Sequence, residues 1–197
     1  MKLLILFGFF GAGKTTLIIK LAKNFVKNNK KVAIVVNDVG KIGIDDKVIK
    51  HYGLKVKEIF GGCICCQLGT DLVETLDFLE KNYNPEIVIL EPSGGASPEA
   101  LYSTLKYVRE LKIIYFPKIS LIDATQFNVL IEVIEPLIKA QIKNSDIVLI
   151  NKIDVVLEKN VEEIKKDIKK INEKSSILPI SALENINMNE LISILEV

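Results

Sequence analysis

Near the start of the chain, Gly8-Phe9-Phe10-Gly11-Ala12-Gly13-Lys14-Thr15 matches the spacing G-x-x-x-x-G-K-[ST], which is suited to holding phosphate groups. The glycines let successive backbone N–H groups turn inward, and a helix opening directly behind them adds partial positive charge. Gly11, Ala12 and Gly13 form the cradle, Lys14 bridges the terminal phosphates, Thr15 offers its hydroxyl to Mg²⁺, and Thr16 donates to the innermost phosphate. A second acidic element follows the apolar run Ile87-Val88-Ile89-Leu90, which leads into Glu91-Pro92-Ser93-Gly94. Glu91 is expected to hold Mg²⁺ through water, and Gly94 to bring a backbone N–H to a γ-phosphate. Taken alone, Pro, Ser and Gly after a strand are also ordinary turn formers. Lys14, Thr15, Glu91 and Gly94 are therefore the first candidates for phosphoryl chemistry.

Asn151-Lys152-Ile153-Asp154 comes immediately after another apolar run, Ile147-Val148-Leu149-Ile150, which places it at the same sheet edge as the glycine loop. The Asp154 carboxylate can accept both N1–H and the exocyclic amine of guanine. Adenine presents a lone pair at that ring nitrogen and leaves the carboxylate unpaired, a mismatch of roughly 10⁴ in selectivity. Lys152 can lay its methylene stem along the ring, and Asn151 ties the loop to the phosphate loop and the purine. Ser181-Ala182-Leu183, after the last strand, supplies a backbone N–H for the guanine carbonyl. GTP with Mg²⁺ is the ligand these pieces describe together. A P-loop kinase acting on a small acceptor is a rival that Asn151 to Asp154 argue against.

All of the cysteines, Cys63, Cys65 and Cys66, lie in Gly61-Gly62-Cys63-Ile64-Cys65-Cys66. Three thiols this close do not resemble a disulfide framework spread along a secreted chain, and a reducing, cytoplasmic compartment fits them better. In a fully extended chain Cys63 and Cys65 face one way and Cys66 the other, so binding by all three requires the chain to curl. Two or three thiolates suit Zn²⁺ or Cu⁺ and leave a position open for exchange, and they do not exclude Co²⁺ or Ni²⁺. Small buried hydrophobes and a redox pair remain alternative readings of the same cluster. His51 is the only histidine and reads as a partly exposed loop residue.

The elements that must position these groups alternate between β-rich runs and helical patterns, the order of a parallel sheet covered on both faces. Strands are expected over Lys2–Phe7, Lys31–Val36, Lys55–Phe60, Glu86–Leu90, Ile113–Ile122, Ile147–Ile150 and Ile177–Ile180. Helices are expected to start near Lys14, Gln67, Pro98, Ile131, Leu157 and Met188. In the helix near Leu157, an apolar stripe of Leu157, Val161, Ile164, Ile168 and Ile171 faces the sheet, and its lysines form a solvated face. The predicted fold is α/β, a three-layer P-loop NTPase with a mostly parallel central sheet flanked by helices, as a single domain over residues 1–197. With 26 Lys plus Arg against 25 Asp plus Glu, the net charge of +1 suggests neither nucleic acid nor a membrane surface as partner. The apolar start runs straight into the glycine loop and is read as a buried strand, not a signal peptide.

Gly-Phe-Phe-Gly-Ala-Gly-Lys-Thr-Thr, Gly-Gly-Cys-Ile-Cys-Cys, Glu-Pro-Ser-Gly and Asn-Lys-Ile-Asp together resemble the CobW-like branch of the CobW/HypB/UreG GTPases. Val36-Asn37-Asp38-Val39-Gly40, followed by Gly43-Ile44-Asp45-Asp46, is similar to that branch's first switch. The resemblance implies slow GTP hydrolysis and delivery of Zn²⁺, Co²⁺ or Ni²⁺ to a metalloprotein client, with paired subunits in a nucleotide-dependent homodimer. It also implies Cys63, Cys65, Cys66 and Asp38 as transition-metal ligands, with Asp38 added to the catalytic set. The family usually has Glu where this chain has the shorter Asp38, and many members carry a C-terminal domain that these residues do not include. GTP·Mg²⁺ is expected to order Asn37 to Asp46, bringing Asp38 towards the thiolates. A second reading keeps the GTPase but makes the cysteines structural and the output regulation of cofactor loading on a cobalamin-type enzyme. Arg109 is the sole arginine and lies away from the expected phosphate edge, so intrinsic turnover should be slow.

Overall fold

In a computed structural model of the chain, the described residues are 1–36, 55–58, 68–106 and 113–195. Asn37 to Asp46, with Asp38, fall outside them, as do His51, Cys63, Cys65, Cys66 and Arg109.

The strands are β1 (Lys2–Gly8), β2 (Val32–Val36), β3 (Lys55–Glu58), β4 (Ile87–Glu91), β5 (Ile114–Tyr115), β6 (Ile119–Asp123), β7 (Ile147–Asn151) and β8 (Ser176–Pro179). The helices are α1 (Lys14–Lys27), α2 (Leu68–Tyr83), α3 (Pro98–Leu105), α4 (Phe127–Val133), α5 (Glu135–Lys143), α6 (Glu158–Ile171) and α7 (Met188–Leu195). The sheet order is β3-β2-β4-β1-β6-β7-β8, with the short β5 beside the start of β1. Every strand pairing among the described residues is parallel.

Alternation along β1 divides its side chains between two packed layers. Leu4 and Leu6 face Leu17, Ile18 and Leu21 of α1 and Leu191 and Leu195 of α7. Leu3, Ile5 and Phe7 face Leu72, Leu76 and Leu79 of α2 and Leu101 and Leu105 of α3. A third cluster packs Val148 and Ile150 of β7 against Phe127, Ile138, Ile142, Val161, Ile164 and Ile168 from α4, α5 and α6. Helices on both faces of a parallel sheet give the three layers. No helix of the described residues is long and apolar enough to cross a membrane.

Three expectations change. Ile113–Ile122 is not one strand, because Phe116, Pro117 and Lys118 separate β5 from β6. Proline has no N–H for a central ladder, so the chain leaves the sheet there and re-enters one register along β1. The helix expected near Ile131 is two, α4 and α5, and the second starts at Glu135 with Pro136 in its first turn. Leu157 is outside the buried stripe: it precedes the first turn of α6 in extended conformation and is 74% exposed.

Candidate functional site

In a parallel sheet all strands end at one edge. From β1 the chain goes to β2 on one side, whereas from β6 it goes to β7 on the other, so a crevice opens beyond the carboxyl ends of the strands. A cleft of about 560 Å³ occupies that edge, lined by Gly11, Gly13, Lys14, Thr15, Thr16, Glu91, Asn151, Lys152, Asp154, Ser181, Ala182 and Leu183, with Phe10, Val36 and Val155. Residues from five separate stretches of sequence thus share one cavity.

At the phosphate end, α1 begins without a side-chain cap and without an acidic residue in its first turn. Its first N–H groups are therefore presented to an anion rather than to the protein's own carboxylates. Gly13 has φ +95°, and a Cβ there would stand 2.5 Å from Asn151 Nδ2, so only glycine lets the base loop approach the phosphate loop this closely. Lys14 is buried, with Nζ 3.3 Å from the Phe9 carbonyl and 3.8 Å from Glu91 Oε1. The Thr15 hydroxyl is 3.4 Å from both Glu91 carboxylate oxygens. A hydroxyl and a carboxylate converging beside a phosphate cradle are the all-oxygen donors that Mg²⁺ takes. Parallel pairing of β1 with β4, in the register Ile5 to Leu90, brings these residues together from opposite ends of a long sequence separation.

Gly94 takes a different place from the rest. A Cβ on it would meet the Phe10 backbone nitrogen at 2.7 Å, and its carbonyl accepts from Gln141 Nε2 at 3.3 Å. It packs behind the phosphate loop and is not among the residues lining the cleft. Ala12, also buried, contributes its backbone: its N–H donates to Phe9 and its carbonyl accepts from Asn151.

At the base end, Asn151 is the last residue of β7 and is 3% exposed. Its Nδ2 donates to the Ala12 carbonyl at 2.8 Å, and its Oδ1 accepts the Ala182 N–H at 2.9 Å. One side chain thereby ties together the phosphate loop, β7 and the Ser181-Ala182-Leu183 loop. The Ala182 N–H is committed to Asn151 and the Ser181 N–H to the Ile186 carbonyl. Lys20 of α1 holds the same loop from below, with Nζ 2.8 Å from the Leu183 carbonyl and 2.6 Å from Asn185 Oδ1. Asp154 is exposed at the cleft wall.

Lys152 adopts the left-handed conformation, φ +66°, and its Nζ meets Asp123 Oδ2 at 2.6 Å. Sequence reasoning missed Asp123. Its signal was available, since an acidic residue closing a buried apolar strand is the same pattern that drew attention to Glu91. Gln141, in the last turn of α5, carries no comparable signal.

The fold and the cleft define a P-loop nucleotide-binding protein. The chain belongs to the CobW/HypB/UreG family, whose nucleotide-binding domain residues 2–179 match. It is 35% identical over 107 residues to the zinc chaperone CobW of Sinorhizobium sp, covering 51% of this chain and 30% of that protein. It is 27% identical over 184 residues to the zinc chaperone YjiA of Escherichia coli, covering 90% of this chain and 56% of that protein. The chain thus spans about half or less of the length of these relatives. Among solved structures, the hydrogenase maturation factor HypB from Archaeoglobus fulgidus superposes with a TM-score of 0.72 at 20% identity, covering 100% of this chain and 89% of that one. The Zn(II)-bound YjiA GTPase from Escherichia coli superposes at 0.68 and 22% identity, covering 91% and 57%. At these identities both likenesses speak for the fold.

Proposed function

We propose that this chain is a slow cytoplasmic GTPase that couples its nucleotide state to the binding of a transition metal and its transfer to a metalloprotein client. The observation that carries the nucleotide half is the single cleft shared by Lys14, Thr15 and Glu91 at one end and Asn151, Lys152 and Asp154 at the other. Asp154 accepts the guanine N1–H and exocyclic amine, and Asn151 holds the base loop against the phosphate loop. Lys14 exchanges its long contact with Glu91 for the β- and γ-phosphates. Thr15 and Glu91 hold Mg²⁺, which neutralises charge on the phosphates when bound. Gly94, whose loop ends against the phosphate cradle, is the candidate for a backbone donor that senses the γ-phosphate.

The metal half rests on residues beyond the described ones. Cys63, Cys65 and Cys66, with Asp38, are proposed to hold Zn²⁺, with Co²⁺ or Ni²⁺ as alternatives, while Asn37 to Asp46 carries Asp38 towards them when GTP is bound. Relatives named zinc chaperone and a Dictyostelium discoideum relative named zinc-regulated GTPase metalloprotein activator support zinc as the first choice. With Arg109 the only arginine, a second copy of the chain or the client is expected to accelerate hydrolysis.

Linkage supplies the test. If nucleotide changes metal affinity, metal changes nucleotide affinity by the same factor. Zn²⁺ titrations of the GDP form and of a form loaded with a non-hydrolysable GTP analogue should give dissociation constants differing by about fivefold or more. Cys65→Ala should remove the difference together with most of the affinity. Equal constants in the two nucleotide states would sink the switch.

A further inference from the structure

Asp123 is the last residue of β6 and its side chain is 1% exposed. A carboxylate this deep is retained only when its oxygens are fully engaged. Oδ1 accepts the Thr125 N–H at 2.9 Å and the Thr125 hydroxyl at 2.6 Å, while Oδ2 accepts from Lys152 Nζ at 2.6 Å. Thr125 therefore fixes the carboxylate, and the carboxylate fixes the ammonium.

The backbone aims Lys152 at that carboxylate. Asp123 and Asn151 are register partners across the parallel β6–β7 ladder, and the Ala124 N–H donates to the Asn151 carbonyl at 3.0 Å. Lys152, one residue further on, turns through φ +66°, a conformation that a non-glycine residue keeps only when its surroundings hold it there. With its ammonium anchored behind the cleft wall, the side chain remains 34% exposed and lines the cleft. A tethered lysine has few rotamers left to lose when a flat ring settles on its stem, and preorganisation of this kind raises affinity without adding a contact.

We propose that Asp123, held by Thr125, is a positioning residue for nucleotide binding: it anchors Lys152 so that the lysine stem presents a ready apolar surface to the purine face. The inference deepens the guanine-nucleotide reading and rests on it. A stem reads any purine alike, whereas Asp154 reads the guanine edge. Asp123 thus sets affinity while Asp154 sets selectivity.

The test uses the whole chain, with GDP, IDP and ADP as titrants. For the native protein, GDP should be preferred over ADP; equal affinities would overturn the guanine reading itself and leave the geometry of Asp123 untouched. Asp123→Asn should weaken GDP and IDP by the same factor, about tenfold, leaving their ratio unchanged. In a Lys152→Ala background the same Asp123→Asn change should have no further effect on affinity, because the residue acts through the lysine. Loss of GDP affinity of equal size in both backgrounds, or no loss in the native one, would overturn the proposal. Should Asp123→Asn not fold, the exposed Thr125→Ala substitution decides. It should weaken GDP about two- to threefold in the native background and not in Lys152→Ala, and unchanged affinity would again overturn the proposal.

Discussion

The two ends of the cleft are built to different tolerances. At the base end Asn151 makes bonds of 2.8 and 2.9 Å to two other loops, and Lys152 meets Asp123 at 2.6 Å. At the phosphate end the separations are 3.3 Å from Lys14 to the Phe9 carbonyl, 3.4 Å from Thr15 to Glu91 and 3.8 Å from Lys14 to Glu91. At the base end Asn151 and Lys152 are already in short, charge-assisted or buried contact. The phosphate end places one positive and one negative side chain side by side in the cleft, where phosphate and cation can draw on them. The frame of the base loop is tied by short bonds, whereas the charged groups at the phosphate end stand at longer range from one another.

Lys14→Ala should show the largest effect and show it chiefly on binding. Removing two charge-assisted contacts to the phosphates should lower GTP affinity on the order of 100- to 10 000-fold. In the nucleotide-free protein the phosphates that Lys14 serves are absent, so the thermal midpoint should move less than that of the base-end variant considered next. Fluorescent-nucleotide titration and thermal unfolding measure the two quantities on one preparation. A larger drop in apo stability for Lys14→Ala than for Asn151→Ala would reverse the comparison.

Asn151→Ala is the counterpart at the base end and should be felt before any nucleotide is added. It strands the Ala12 carbonyl and the Ala182 N–H in a buried seam, a loss of about 2–4 kcal/mol. For a chain of this size that lowers the thermal midpoint by roughly 4–15 °C. Guanine-nucleotide affinity should fall as well, because the two loops lose their common tie. Differential scanning calorimetry of the apo protein gives the first number, and an unchanged midpoint would show that the base end is held by something other than this side chain.

The same contrast explains what could be read from the sequence. Gly11 to Thr16, Glu91, Asn151 to Asp154 and Ser181 to Leu183 were legible because each follows an apolar strand, and parallel strands must end together. What escaped were partners rather than ligands. Asp123, held by Thr125, contacts the base loop through its lysine, and Gln141 reaches the Gly94 carbonyl from the last turn of α5, where nothing in the helical pattern marks it. Element boundaries depart from the apolar pattern at prolines: Pro117 divides β5 from β6, and Pro136 sits in the first turn of a second helix. Leu157 kept the apolar period yet stands outside the helix it precedes, since periodicity does not locate the first turn.

The smallest effect is expected from a control that touches neither end of the cleft. Tyr102 of α3 packs at a tilt against Phe7 of β1, 5.9 Å between ring centroids, and Lys118 Nζ lies 4.8 Å over its ring. Its hydroxyl is buried with no hydrogen-bond partner among the described residues. Burial, with the Asp146 carboxylate and then Tyr115 adding to it, raises its pKa well above the usual 10.0. The fold thus favours the neutral phenol. That contribution is fully present below pH 10, the unfolded value, and is lost as the pH rises from there towards the folded value. At pH 7 Tyr102→Phe removes an unpartnered hydroxyl, so stability should change by no more than about 1 kcal/mol, in the stabilising direction, and GDP affinity should stay the same. Above pH 10 the variant should lose less stability than the native protein, so the gap between their urea midpoints should widen with pH. Parallel pH profiles for the two proteins would show that the phenol is solvated in the folded state, and a fall in GDP affinity at pH 7 would mean that packing beneath β1 reaches the phosphate end after all.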